Sequence, residues 1–333
     1  MLTGTRVIAL EEHVVIPELL DAWTRLDPAD RDLAFGPAAD GETGRRLLEV
    51  GDERRAAMTA TGVDVQVLSL TTPGLQNLPV NEAVALQRVA NDRLAAAVRD
   101  DPVHFQGLAA LATSAPDDAA DELVRAVRRL GLDGAMLYGR TGDRGLDDPA
   151  LEPIWSAAEE LRVPLHLHPQ SPPAAVRSAY YDGLPDAVAS GFATHAIGWH
   201  YDAGVQVLRL VLSGVFDRHP GLRLVVGHWG ETVLFYLERA APLAALARLP
   251  RTLDEYVRTH LSVTPSGMLS ERYLRWATEV IGVDRILFAT DYPFEAASTA
   301  GARDFLDRAP VSDPEADAIA SGNWEALRAR IRR

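Results

Sequence analysis

The sequence predicts an α/β protein, a (β/α)8 TIM barrel, from three observations. Eight short apolar runs of strand length alternate along the chain with segments whose apolar residues recur at helical spacing. The 333 residues suffice for one barrel domain with a large core. An open doubly wound sheet alternates in the same way, but it needs a Gly-rich phosphate turn after a strand, and no G-x-G-x-x-G occurs. No internal repeat or low-complexity linker divides the chain, so residues 1–333 are expected to form a single domain.

The first strand is expected over Arg6–Leu10, ending in Glu11-Glu12-His13. Side chains on a strand alternate with period two, so Glu11 and His13 share a face and Glu12 takes the other. The polar, Asp- and Pro-rich stretch 27–43 reads as a long loop or lid, and a helix follows over Gly44–Thr61, closed by Gly62. Val63–Leu70 is the second strand, ending in the turn residues Thr71-Thr72-Pro73-Gly74. A helix over Asn81–Asp100 leads to the third strand, Phe105–Leu111. The next helix starts at Ser114-Ala115-Pro116-Asp117 and stops at Gly131, before the fourth strand, Asp133–Tyr138. After a helix over Pro149–Arg162 comes the fifth strand, Pro164–Pro169, and then an insertion at about 170–201 rich in Pro, Ala and aromatic residues. A helix over Ala203–His219 precedes the sixth strand, Leu222–His228; a helix over Thr232–Leu249 precedes the seventh, His260–Thr264. Ser270–Ile281 is helical, Arg285–Asp291 is the eighth strand, and helical segments finish the chain.

Composition narrows the function. Hydrophobic residues at 47% and charged residues at 24% mark an ordinary soluble globular protein. A net charge of -14 argues against nucleic acid or an anionic membrane as the main partner. With no cysteine, disulfides, thiolate nucleophiles and Cys-bound zinc are excluded. The N-terminus has no basic segment followed by an apolar stretch, and no apolar run is long enough to span a bilayer, so a cytoplasmic location is expected.

A barrel enzyme works at the C-terminal ends of its strands. Here strand one ends in Glu11-x-His13, strand five in His168, strand six in His228-Trp229-Gly230-Glu231 and strand eight in Asp291. Each alone has an ordinary explanation: a charged strand end, a core histidine before proline, an Asx-turn aspartate. Together on one rim they converge, and a carboxylate beside an imidazole is half of a divalent-metal site. His166 shares the face of His168 but lies deeper. Phe294, Tyr292, Trp199 and Tyr138 stand near the rim as candidate walls of a flat slot, and His195 and His200 lie in the insertion.

These motifs are similar to those of the amidohydrolase superfamily, in its decarboxylase branch. That branch includes aminocarboxymuconate semialdehyde decarboxylase and the decarboxylases of γ-resorcylate, 2,3-dihydroxybenzoate and 5-carboxyvanillate. The resemblance rests on Ala9–His13, Leu167-His168-Pro169, Gly227–Glu231 and Thr290–Glu295, in the right order and spacing, and extends to Gly322-Asn323. It implies one divalent ion, Zn2+ or Mn2+, held by Glu11, His13, His168 and Asp291. It places His228 beside the metal with Glu231 as its hydrogen-bond partner, Asp291 as the acid, and Arg239 at the substrate. His200 and Phe294 are further substrate-binding candidates.

The activity implied is non-oxidative decarboxylation of an aromatic or heteroaromatic hydroxy acid by a carboxy-lyase, in a homodimer or homotetramer. The alternative is hydrolysis of an amide, ester or lactone. Hydrolases of the superfamily commonly show His-x-His on strand one, and Glu11-x-His13 lowers the metal's effective charge for activating water. Two segments depart from the nearest pattern, Ser190–His200 and the loop Tyr138–Gly142, whose Arg140 is an unusual candidate for meeting a second anionic or phenolic group.

Overall fold

The computed structural model describes residues 4–28, 30–142, 144–295 and 301–333. Eight parallel strand positions form the barrel, seven of them occupied by regular strands. Ile8–Val14 pairs with Val65–Leu70, which pairs with Phe105–Gly107. Ala109–Ala110, Ala135–Tyr138, Pro164–His168, Arg223–Val226 and Leu261–Val263 follow, each hydrogen-bonded to the next. The expected third strand is thus split at Leu108, whose N–H donates to Leu68 O while Ala109 N–H donates to Gly134 O. One segment thereby joins the two sheets.

The expected eighth strand is a pair of bridges rather than a regular strand. Ile286 meets Val263 and Ala289 meets Leu10, which closes the ring. Side chains of alternate strand residues, including Ile8, Leu10, Val67, Met136, Val225 and Leu287, fill the interior, with Trp324 from the C-terminal helix among them. The intervening residues pack outward against the helices.

That alternation has one consequential interruption. With Ile8 and Leu10 inside, an unbroken pleat would send Glu12 inward and Glu11 and His13 outward. The register against the second strand slips between Ala9 and Glu12, and Glu11 takes a left-handed backbone with φ of 60°. This bulge turns Glu11 and His13 to the interior and Glu12 away from it.

Several helical boundaries differ from expectation. The stretch 27–43 carries the short helix Phe35–Ala39 and the start of Gly41–Leu48, and the expected helix Gly44–Thr61 is interrupted before Asp52–Thr61. At the break, Glu49 accepts from the N–H groups of Gly51 and Arg54 at 2.6 and 2.8 Å. The buried Arg54 then reaches His13 O at 2.6 Å and Gln66 Oε1 at 3.1 Å. Propensity alone does not reveal a break made for a long-range contact. The insertion 170–201 is mostly helical, as Ala174–Tyr180, Asp186–Gly191 and Phe192–Ala196, and the next helix, Gly198–Leu212, begins inside it. Among the described residues no helix is long and apolar enough to cross a membrane.

Candidate active site

Glu11, His13, His168 and Asp291 offer ligand atoms that all lie within 4.8 Å of one another. Each comes from a strand end on one rim, as the barrel rule requires. His13 Nε2 stands 3.1 Å from Asp291 Oδ1, and His168 Nε2 3.6 Å from Glu11 Oε1. Burial drives His13 down to about 4 against the pull of Glu11, and burial followed by the neighbouring His13 drives His168 down to about 3. Both imidazoles are therefore neutral near pH 7, with a lone pair to give. His168 Nδ1 donates to Pro169 O at 2.7 Å, which leaves Nε2 as its free nitrogen.

The donor set fits a divalent cation. Glu11 Oε1 and His13 Nε2 are buried without a hydrogen-bond partner, an arrangement that costs free energy unless something positive lies between them. Two imidazole nitrogens and two carboxylates suit Zn2+ and Mn2+. Glu11 is held well below the usual carboxylate range: burial opposes its ionisation, but His166, His228 and His168 outweigh it.

Supporting residues fix this cluster from behind. Ser266 Oγ makes a short hydrogen bond to Glu11 Oε2, and Thr264 Oγ1 reaches the same oxygen at 3.3 Å. His166 Nε2 lies 3.3 Å from it as well. Glu12, facing the other way, accepts from Thr290 N at 2.9 Å, Thr290 Oγ1 at 2.7 Å and Gln66 Nε2 at 2.9 Å. It thus clamps the residue before Asp291 to the first strand. Sequence reasoning missed Ser266, Thr264, Thr290 and Gln66; the ends of strands seven and eight carry the first three, and the rim rule was the signal available. Gly227 packs closely against the cluster: a Cβ there would sit 3.0 Å from both Glu11 Oε1 and Ser266 Oγ, so those side chains would have to shift. Gly227→Ala is expected to weaken metal binding about tenfold or more with the barrel still folded, as read by metal titration and circular dichroism.

A second cluster adjoins the first. His228 Nδ1 donates to Glu231 Oε1 at 2.6 Å, and His200 Nδ1 to Glu231 Oε2 at 2.8 Å, so one buried carboxylate joins two imidazoles. His228 Nε2 lies 4.0 Å from Asp291 Oδ2. Burial disfavours the His228 cation, but Glu231, then Glu11 and Asp291, push it up to about 10. Burial likewise opposes Glu231 ionisation, yet His228 and His200 hold it at about 2. Asp291 is raised well above the usual range, first by burial and then by Glu11.

The sign of the pair's contribution to stability follows from these shifts. His228 contributes fully below its ordinary 6.5, and this is lost as pH rises through about 10. Glu231 contributes fully above its ordinary 4.5, and this is lost as pH falls through about 2. His228→Gln is expected to be most destabilising between those two ordinary values, with the gap to wild type closing on the alkaline side. Thermal unfolding of both proteins across pH 4–10 checks it.

Among the described residues, seven of the nine non-glycine residues with left-handed backbone belong to this region: Glu11, His228, Trp229, Glu231, Thr232, Ser266 and Asp291. Each such residue costs about 1–3 kcal/mol, and concentrations of this strain mark functional sites.

Both clusters open into a cavity of about 690 Å³ lined by His168, His195, Trp199, His200, His228, Asp291 and Phe294, with Leu33, Ala34 and Pro37 of the 27–43 stretch and Met268. Phe294 lies 5.7 Å from the His13 ring and Trp199 6.4 Å from His168. Four sequence candidates fall elsewhere. Tyr138 is buried, donating to Leu70 O at 2.6 Å, and Tyr292 lies under Arg54. Arg239 is exposed on the helix Val233–Ala240 and does not line the cavity. Arg140 lines a different cavity.

Comparison with known proteins gives concordant matches. The amidohydrolase family profile matches residues 20–327. The chain is 35% identical to the γ-resorcylate decarboxylase of a Rhizobium species, over 96% of this chain and 97% of that one. It superposes on the 5-carboxyvanillate decarboxylase of Sphingomonas paucimobilis with a TM-score of 0.89 at 32% identity, covering 99% and 100% of the two chains. It superposes on the 5-carboxyvanillate decarboxylase of Novosphingobium aromaticivorans, in complex with manganese and 4-hydroxy-3-methoxy-5-nitrobenzoic acid, with a TM-score of 0.88 at 30% identity, covering 98% and 96%.

Proposed function

The chain belongs to the amidohydrolase family, and we propose that it catalyses the metal-dependent, non-oxidative decarboxylation of an aromatic hydroxy acid. The observation that carries this reading is the placement of Asp291: a carboxyl whose ionisation is disfavoured by burial and by Glu11, lining an aromatic-walled cavity with Oδ1 3.1 Å from His13 Nε2 and Oδ2 4.0 Å from His228 Nε2. A divalent ion held by Glu11, His13, His168 and Asp291 would supply positive charge and a template for the substrate carboxylate and its neighbouring hydroxyl. Mn2+ is the first ion to test, because the donor set suits it and the Novosphingobium neighbour contains it.

The chain's own residues perform the proton chemistry. Direct loss of carbon dioxide from an aryl acid leaves an unstabilised carbanion, so protonation of the ring carbon must come first. Asp291 donates its proton to the carbon that bears the carboxylate, and the ring loses aromaticity. The bond from ring to carboxylate then breaks, its electron pair restores the aromatic ring, and carbon dioxide departs. Asp291 is left ionised and recovers a proton from solvent. His228, kept cationic by Glu231, stabilises the negative charge that appears on Asp291 and on the substrate. His200 holds the far oxygen of Glu231 and ties it, through a 2.9 Å contact to His195 O, to the insertion. Phe294 and Trp199 flank the ring.

We further propose assembly as a homodimer or homotetramer, supported by the exposure of Phe235 (72%) and Leu246 (77%) on neighbouring helices.

The test is a panel of hydroxybenzoates, carboxyvanillates and heteroaryl carboxylates incubated with manganese-reconstituted protein. Carbon dioxide release from at least one is expected. Turnover of amide, ester or lactone substrates with no carbon dioxide from any acid would overturn the proposal.

A further inference from the structure

A second cavity, of about 470 Å³, lies beside the active pocket and is lined by Arg31, Arg140 and Arg177 together with Asp30, Asp32 and Asn77. Its walls come from four separate places in the chain: the stretch after the first helix, the turn after strand two, the loop after strand four, and the start of the insertion.

Its arginines are unusual in this acidic molecule. Elsewhere arginines commonly meet carboxylates, as Arg125 meets Asp92 and Glu122 and Arg45 meets Glu42 and Glu53. Among the described residues, Arg31, Arg140 and Arg177 form no ion pair. Arg31 donates to Thr24 O and Leu26 O, and Arg140 donates to Gly142 O at 2.7 Å and Ser171 O at 2.6 Å. These backbone bonds set the guanidinium planes without neutralising them. The Nε atoms of both Arg140 and Arg177 are buried with no partner at all. A guanidinium is always charged and presents its donors as a planar fork. Guanidinium forks that line one cavity and keep unspent donors have the chemistry of an oxyanion receptor.

The acidic lining does not cancel this. Asp32 is buried and its Oδ1 already accepts from Ser171 Oγ at 2.6 Å and Ala34 N at 2.9 Å. It forms a wall shared with the active pocket: Trp199 Nε1 donates to Ser171 Oγ at 3.2 Å, and Leu33 and Ala34 line the active pocket itself. Among the described residues that line the cavity, three guanidinium groups stand against two carboxylates, and Asp32 alone, which lies in the field of Arg140 and Arg177, does not balance them.

We propose that this cavity is a binding site for a small inorganic oxyanion of the sulfate or phosphate class, seated by Arg31, Arg140 and Arg177. The site is distinct from the metal-ligand cluster, and its existence does not depend on which reaction the enzyme catalyses.

Isothermal titration of the manganese-reconstituted protein with sodium sulfate, at ionic strength held constant with chloride, tests the proposal. One saturable site is expected in the wild type. Arg177→Gln and, from a different element, Arg31→Gln are each expected to weaken it at least about tenfold. Arg177→Lys is expected to retain part of the affinity, because the charge remains while the fork is lost. Manganese content and decarboxylation by Arg177→Gln and Arg31→Gln should match wild type, which shows that the loss is local. Absence of saturation in the millimolar range, or sulfate affinity unchanged in both glutamine variants, would overturn the proposal.

Discussion

Asp291→Asn is expected to lower kcat for decarboxylation by about 10³-fold or more, since a positioned general acid is worth about 10²–10⁴-fold. Asparagine preserves the shape of the side chain and an oxygen to face the ligand cluster, but it has no acidic proton to give. The loss should therefore fall on kcat far more than on metal content, which separates the acid role from the ligand role. The same residue sets a pH dependence. Burial and Glu11 raise the Asp291 pKa, so the reactive protonated form is the low-pH form, and kcat should fall as pH rises through that raised value. Initial rates of carbon dioxide release across pH, with metal content measured on the same samples, check both statements.

Glu11→Ala and His168→Ala are expected to reduce bound metal to about a tenth of wild type or less under equal metal loading. The reasons differ for the two. Glu11 contributes the ionised carboxylate of the cluster, and its removal leaves Ser266 and Thr264, whose hydroxyls cannot replace the charge. His168 contributes a neutral nitrogen whose tautomer is set by Pro169 O, and nothing nearby on its strand substitutes, because His166 lies deeper and faces Glu11 from behind. Arg239→Ala, by contrast, should leave metal content unchanged. Elemental analysis of the purified variants after metal loading distinguishes these outcomes; wild-type stoichiometry in both Glu11→Ala and His168→Ala would rule out the ligand set.

Much of the fold was legible because apolar strand-length runs and turn residues announce themselves locally. Val65–Leu70, Ala135–Tyr138, Pro164–His168, Arg223–Val226 and Leu261–Val263 all lie within the expected runs. The eighth strand was less legible in form: its apolar run is present, but it joins its neighbours through bridges alone.

The candidate site was legible in part for the same reason, since its ligands sit at strand ends. What a sequence could not convey was the bulge at Glu11. Period-two alternation pairs Glu11 with His13, yet only the register slip turns that pair inward rather than Glu12. Long-range polar links were equally silent: the Glu12–Thr290 clamp spans 278 positions, and the Ser266–Glu11 bond spans 255. Ser and Thr at strand ends are too common to signal such a role. His200, expected at the substrate, both lines the cavity and grips Glu231, a partnership that depends on how the insertion folds back over the rim. Arg239, expected at the substrate from motif position, is exposed on Val233–Ala240 and does not line the cavity of this chain.

The central claim is that carbon dioxide is lost after Asp291 protonates the ring. It is tested most directly by turning over a productive hydroxybenzoate in deuterium oxide and identifying the products by mass spectrometry and proton NMR. The account predicts one equivalent of carbon dioxide and a phenolic product carrying a single deuterium at the carbon that bore the carboxylate. A product that retains its carboxylate and has gained an oxygen from solvent would contradict it.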